Sequence, residues 1–224
     1  MEFLVTLLVC VLLSWVAAPA IHKYPWVLYA IVIAVDILFA VGAFSVIPGP
    51  AARMGVLLMR RGTLAMALFT IVMFIGVLPH DSAIRARFQS VRAELSIAAC
   101  LLVAMHIAVH IGIFLPRILH PGTRPTLAAS IVISLVLFAL VLVLGVTSFS
   151  FVKKRMDSHA WKNLQKWSYL FYGLVYFHIV LLLASGALAG NGSARFNLVV
   201  YTVVFVVYAI ARLVRQRKDV QSTS

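Results

Sequence analysis

Apolar residues fall in seven long blocks, roughly residues 3–20, 25–46, 63–79, 94–116, 126–150, 163–189 and 196–213. Most approach the roughly twenty residues that a helix needs to cross about 30 Å of hydrocarbon. They are too long and too uniformly apolar for the alternating strands of a membrane barrel, and a helix satisfies its own backbone hydrogen bonds in lipid. The pattern therefore predicts an all-α integral membrane protein, a bundle of seven helices. Short linkers carry the expected breakers: Pro19, Pro48-Gly49-Pro50, Pro116, Pro121, Pro125 and Gly190-Asn191-Gly192. No linker has room for a second domain, no internal repeat is evident, and no glycine-rich nucleotide motif occurs.

Charge adds orientation to this picture. The chain has 224 residues, 63% apolar and 11% charged, yet its net charge is +13. A soluble domain usually carries about 25% charged residues, so a water-soluble enzyme is excluded. The basic residues are scattered over short loops and form no continuous stripe with stacking aromatics, which argues against nucleic acid as a partner. Membrane lipid is the partner they imply, through attraction to anionic headgroups. With the C-terminus placed inside, beside Arg212, Arg215, Arg217 and Lys218, seven spans put 13 basic residues inside and 6 outside. Basic residues favour the cytoplasmic side, so the N-terminus is expected outside and the C-terminus in the cytoplasm of a bacterial plasma (inner) membrane.

The first block needs its own decision. Ala18-Pro19-Ala20 has the small-residue look of a signal-peptidase site, but only Met1-Glu2 precedes the block, with no basic segment. A retained first helix is the expectation. Cys10 and Cys100 both sit within apolar blocks and read as small buried side chains.

Ionisable residues inside the blocks carry the functional information, because each is costly in hydrocarbon. His106 and His110 are four apart and share one helical face. His106 lies 14 residues past Arg92 and His178 lies 16 past Lys162. At 1.5 Å per residue, both sit about 21–24 Å from the inner boundary. Two histidines at matching depth on different helices suit a flat cofactor gripped between imidazoles, and a b-type haem answers that description. Helix–helix hydrogen bonding is the plainer reading. Zinc or copper would want three or four ligands, and no carboxylate or thiol lies at that level. Asp36, mid-way along the second block, reads either as a proton or quinone-site residue or as a structural hydrogen-bonding acid. Tyr172 and Tyr176, near the His178 level, read either as packing or as walls of a cofactor site.

Residues 145–178 read GVTSFSFVKKRMDSHAWKNLQKWSYLFYGLVYFH, and residues 92–106 read RAELSIAACLLVAMH. These segments resemble the ferric reductase-like transmembrane family, and within it the membrane haem b subunits of bacterial periplasmic methionine sulfoxide reductase systems. Thr147-Ser148 matches the helix end of that family, Trp161, Lys162 and Leu164 match its next element, and His178 matches its distal histidine. The resemblance spans about residues 25–213. It implies a six-helix haem-binding core at 25–213, an additional N-terminal helix at 1–24, and a short basic, polar tail at 214–224.

Departures from the family pattern are informative. Gln165 stands thirteen residues before His178, where the family has its inner histidine, and Ala93 stands thirteen before His106. The inner haem site is therefore expected to be absent. The outer site, with His106 and His178 as axial ligands of one haem b, is intact, and His110 is an alternative to His106. Arg117, Arg124 and Arg195 lie at the outer edge, where they either pair with haem propionates or face headgroups.

The resemblance implies electron transfer from the quinone pool, or from a flavoprotein, to a reductase partner at the periplasmic or extracellular face. The chain would be an oxidoreductase component that needs a partner subunit, and quinone or flavin would be further cofactors. The alternative is a haem-free small membrane transporter or scaffold of the same fold.

Overall fold

The computed structural model describes residues 2–45, 49–118 and 125–221, excluding the side chains of residues 51–52 and 115–118. Within these residues eleven helices follow one another. Helices α1 (Glu2–Lys23) and α2 (Pro25–Phe44) meet at Tyr24. Pro25 opens α2, and Pro50 opens α3 (Pro50–Arg60), at positions where a missing N–H costs nothing. Then come α4 (Thr63–Ile75), α5 (Ala83–Gln89) and the long α6 (Arg92–Ile118). Helix α7 (Pro125–Val146) is followed by the short α8 (Ser150–Lys153) and α9 (Ser158–Gln165). Helices α10 (Trp167–Leu188) and α11 (Gly192–Gln221) complete the described chain.

Six helical segments are long and apolar enough to cross a membrane, and the bent pair α3–α4 makes a seventh if counted as one span. Their outer faces present hydrocarbon, such as Leu8, Leu12 and Val16 on α1 and Val132, Leu135 and Val136 on α7. So much exposed apolar surface is stable only against lipid. The chain is an all-α, multi-pass membrane protein.

Helix α4 is the centre of the bundle, with almost every residue buried. It packs between α1 and α6, while α2 lies against α6 and α3. On the other side α7 contacts both α6 and α10, and α10 also packs on α11. Helices α6 and α10 form no extended interface with each other, which leaves space between them. Helix α1 is built into the core. Its Phe3 ring lies 4.6 Å from Tyr201 of α11, and Trp15 lies 5.6 Å from Phe88.

Several boundaries differ from expectation. The third block, expected at 63–79, is helical only over α4, whose 13 residues span about 20 Å and cannot cross alone. The preceding residues, which read as a linker, form α3, bent 60° from α4. Gly62 makes the corner with φ +64, a left-handed conformation that costs other residues about 1–2 kcal/mol. The fifth block ends at Val146, before the expected residue 150, because hydroxyls turn back on the helix. Thr147 Oγ1 donates to the Val143 carbonyl and Ser148 Oγ to that of Leu144, both at 2.7 Å. The sixth block is interrupted at Lys166, so the polar α9, capped by Asp157, stands apart from α10. The seventh continues to Gln221, and most of the expected tail is helical, with an Arg215–Asp219 ion pair at 3.1 Å one turn apart.

Candidate functional site

Three histidines converge between α6, α7 and α10. His106 and His110 have ring centroids 4.2 Å apart on α6. His178 of α10 is close enough to interact electrostatically with both. All three line a cavity of about 110 Å³ whose remaining walls are mostly hydrocarbon, with Ser130 and Ser134 of α7 as the polar exceptions.

Each imidazole is held in the same way. His106 Nδ1 donates to the Met59 carbonyl at 2.8 Å, His110 Nδ1 to the His106 carbonyl at 2.8 Å, and His178 Nδ1 to the Ser130 carbonyl at 3.2 Å. A carbonyl oxygen only accepts, so Nδ1 carries the proton. In a neutral ring that leaves the Nε2 lone pair free on all three. Ligating histidines are held through the same kind of partner, which fixes their tautomer and orientation. Ser134 Oγ, 3.4 Å from His178 Nδ1, adds a second contact.

Local sequence explains part of this arrangement. Four-residue spacing places His106 and His110 one turn apart. The Met59 carbonyl is offered by the last turn of α3, just before the Gly62 corner, and the His106 ring lies directly against that corner. A Cβ built on Gly62 would meet His106 Cε1 at 3.4 Å. Phe39 of α2 and Phe114 of α6 stack on either side of His110, with centroids 6.2 and 5.8 Å away.

A second cavity of about 390 Å³ shares His106, His110 and Leu182 with the first and extends to Arg60, Arg61, Asn191 and Asn197. Arg61 pairs with Glu2. Arg60 is close enough to influence His110. Both arginines stand just before the third apolar block, among the six basic residues counted on the outer side. Of the arginines expected near a cofactor, Arg124 lies outside the described residues, as does the Arg117 side chain. Arg195 donates from Nε to the Ala187 carbonyl at 2.7 Å.

The other candidate residues lie apart. Tyr172 is buried in the core, where its hydroxyl meets Thr70 Oγ1 at 3.2 Å and its ring stacks on Phe205 at 4.4 Å. It lines neither histidine cavity. Tyr176 shares a hydrogen bond of 3.0 Å with Thr202. Asp36 is 5% exposed, and its Oδ1 has no hydrogen-bond partner among the described residues. Phe39, on the same buried face three residues later, carries the contact to His110.

The Thr147, Trp161 and Gln165 elements meet at the opposite end of the bundle. Thr147 accepts from Trp161 Nε1 through its carbonyl at 2.9 Å and from Gln165 Nε2 through its hydroxyl at 3.2 Å. Gln165 and Ala93 both line a cavity of about 380 Å³ there. Among the described residues, no three His, Cys, Asp or Glu side chains are gathered to hold a metal ion by themselves.

No family profile matches the chain, and no solved structure is significantly similar to it. An uncharacterized protein of Treponema pallidum (strain Nichols) is 37% identical over 151 residues, which is 66% of this chain and 41% of that protein. The chain thus spans less than half the length of this relative.

Proposed function

We propose that the chain is a haem b-binding electron-transfer subunit with a ferric reductase-like core. The observation that carries this reading is the set of three imidazoles, each anchored through Nδ1 to a carbonyl, around one largely apolar cavity. The donor set fits the group. Free Nε2 lone pairs on α6 and α10 would hold the iron, and the ring would need the adjoining cavity of about 390 Å³ as well as the first. Haem b, when bound, supplies reversible one-electron chemistry.

The residues of the chain divide the remaining work. His178 and His106 would hold the iron, with His110 one turn away as the alternative on α6. Ser130 and Ser134 orient His178, and the α3–α4 corner orients His106. Arg60, in the adjoining cavity, offers positive charge for a carboxylate of the bound group. Ile107, Ile131 and Leu135 keep the cavity dry.

In this reading the protein lies in a bacterial plasma membrane, with its N-terminus outside and its C-terminus in the cytoplasm. Electrons enter from quinol or a flavoprotein partner and leave to a reductase at the outer face. Oxidoreductase activity then belongs to the assembly. Asp36, buried on α2 with an unpartnered carboxyl oxygen, is assigned proton exchange with a quinol in this reading. The alternative, a haem-free transporter or scaffold, draws on the bent α3–α4 pair, since interrupted helices mark transporter sites.

The oxidised and dithionite-reduced spectra of the purified full chain test the proposal. A sharp Soret band and reduced α-band are expected in the wild type, with both lost in His178→Ala and in His106→Ala. Persistence of the Soret and α-bands in His106→Ala, with their loss in His110→Ala, assigns the α6 ligand to His110. A wild type without haem after reconstitution sinks the proposal in favour of the alternative.

A further inference from the structure

The cavity at the Gln165 end has a composition that the electron-transfer reading does not use. Arg92, Lys153 and Lys162 line it, and no carboxylate does. Among the described residues none of these three cations forms an ion pair. The Lys153 ammonium instead lies over the Trp161 ring, 4.3 Å from its centroid. A smaller neighbouring cavity shares Arg92, Lys162 and Gln165 and adds Lys166 and Arg212, so the positive field extends across its mouth. Deeper in, Phe69, Val141 and Phe171 line the same space with hydrocarbon.

Charge and hydrocarbon are thus segregated along one cavity of about 380 Å³. Cations gathered at a low-dielectric wall repel one another, and a bound anion relieves that repulsion. The apolar depth gains nothing from a small hydrated ion but is favourable for a chain. Gln165 and Ser168 add amide and hydroxyl donors among the cations. We propose that this cavity binds a net-anionic, phosphate-bearing amphiphile, its phosphate held by Arg92, Lys153 and Lys162 and its apolar part directed towards Phe69 and Phe171. The site is distinct from the histidine cavities, with which it shares no lining residue, and its cation Arg92 lies about 21 Å along α6 from His106.

Trp161 lines the cavity and reports occupancy. The full chain in neutral detergent is titrated with phosphatidylglycerol carrying brominated acyl chains, and in parallel with the matching brominated phosphatidylcholine. Saturable quenching by the anionic lipid at least tenfold tighter than by the zwitterionic one is the expected result, and that saturable component is lost in Trp161→Phe, leaving only the background from the other three tryptophans. Arg92→Gln and Lys162→Gln should each weaken binding about fivefold, as loss of one lipid-facing cation implies. The charge-keeping Arg92→Lys and Lys162→Arg should retain it. His178→Ala should bind as the wild type does, which separates this site from the haem proposal. Displacement of the lipid by millimolar sodium phosphate identifies free phosphate as the source of the head chemistry; resistance to it identifies a lipid. Equal quenching by the two lipids, or full binding in the doubly substituted Arg92→Gln/Lys162→Gln chain, overturns the proposal.

Discussion

The space between α6 and α10 is lined by opposite chemistries at its two ends. At one end stand three carbonyl-anchored imidazoles, two serines and hydrocarbon. At the other stand Ala93, Gln165 and three cations. Helix α6 supplies both ends, with Ala93 thirteen residues before His106, whereas Gln165, thirteen before His178, belongs to α9 and not to α10. Helix packing therefore creates the slot, and the residues that face it decide what each end can hold. An imidazole with a free Nε2 is a ligand for iron, whereas the Gln165 amide nitrogen is committed to Thr147 and its oxygen is a poor iron donor.

Erasing that difference should have the largest effect. On the proposed haem reading, Ala93→His with Gln165→His places a histidine pair at the second end, and the roomier cavity there has space for a ligand. Haem content per chain, measured by pyridine haemochrome, should rise from one towards two, with a second midpoint potential. An unchanged content would show that two added imidazoles are not sufficient to hold haem at that end.

Next in size is the support of the histidine end, which has no counterpart at the other. Gly62→Ala should cost about 1–2 kcal/mol through its left-handed φ alone. The added Cβ would meet His106 at an ordinary contact distance. Thermal unfolding in detergent should fall while the haem spectrum stays as in the wild type. A shifted spectrum would show that the corner controls His106 more tightly than its contacts indicate.

The smallest effect is expected from Gln165→Ala. It removes one hydrogen bond to Thr147, worth about 1 kcal/mol, and leaves the Trp161 bond to the Thr147 carbonyl in place. Haem content should not change. Loss of haem on this substitution would mean that the two ends are coupled.

These contrasts show what was legible in the chain. His106 with His110 followed from four-residue spacing, and the shared level of His106 and His178 followed from counting along two helices. Tyr172 looked equally suited to a cofactor wall, being only six residues from His178. The fold instead turns it towards Thr70 and Phe205, because α10 packs against different neighbours on different faces. Arg60 and Arg61 reach the adjoining cavity only through α3 and its corner.

By itself the sequence determined that this is a multi-pass helical membrane protein and roughly where its apolar segments lie. That much follows from local composition, since hydrocarbon solvent tests each twenty-residue stretch separately. Tertiary structure decided the α3–α4 corner, the segregated cavity at the basic end and the anchoring of His106 and His178 outside their own helices. Those features rest on partners distant in the chain, as with Met59 and His106, 47 residues apart. No local pattern records which carbonyl a packed neighbour will present.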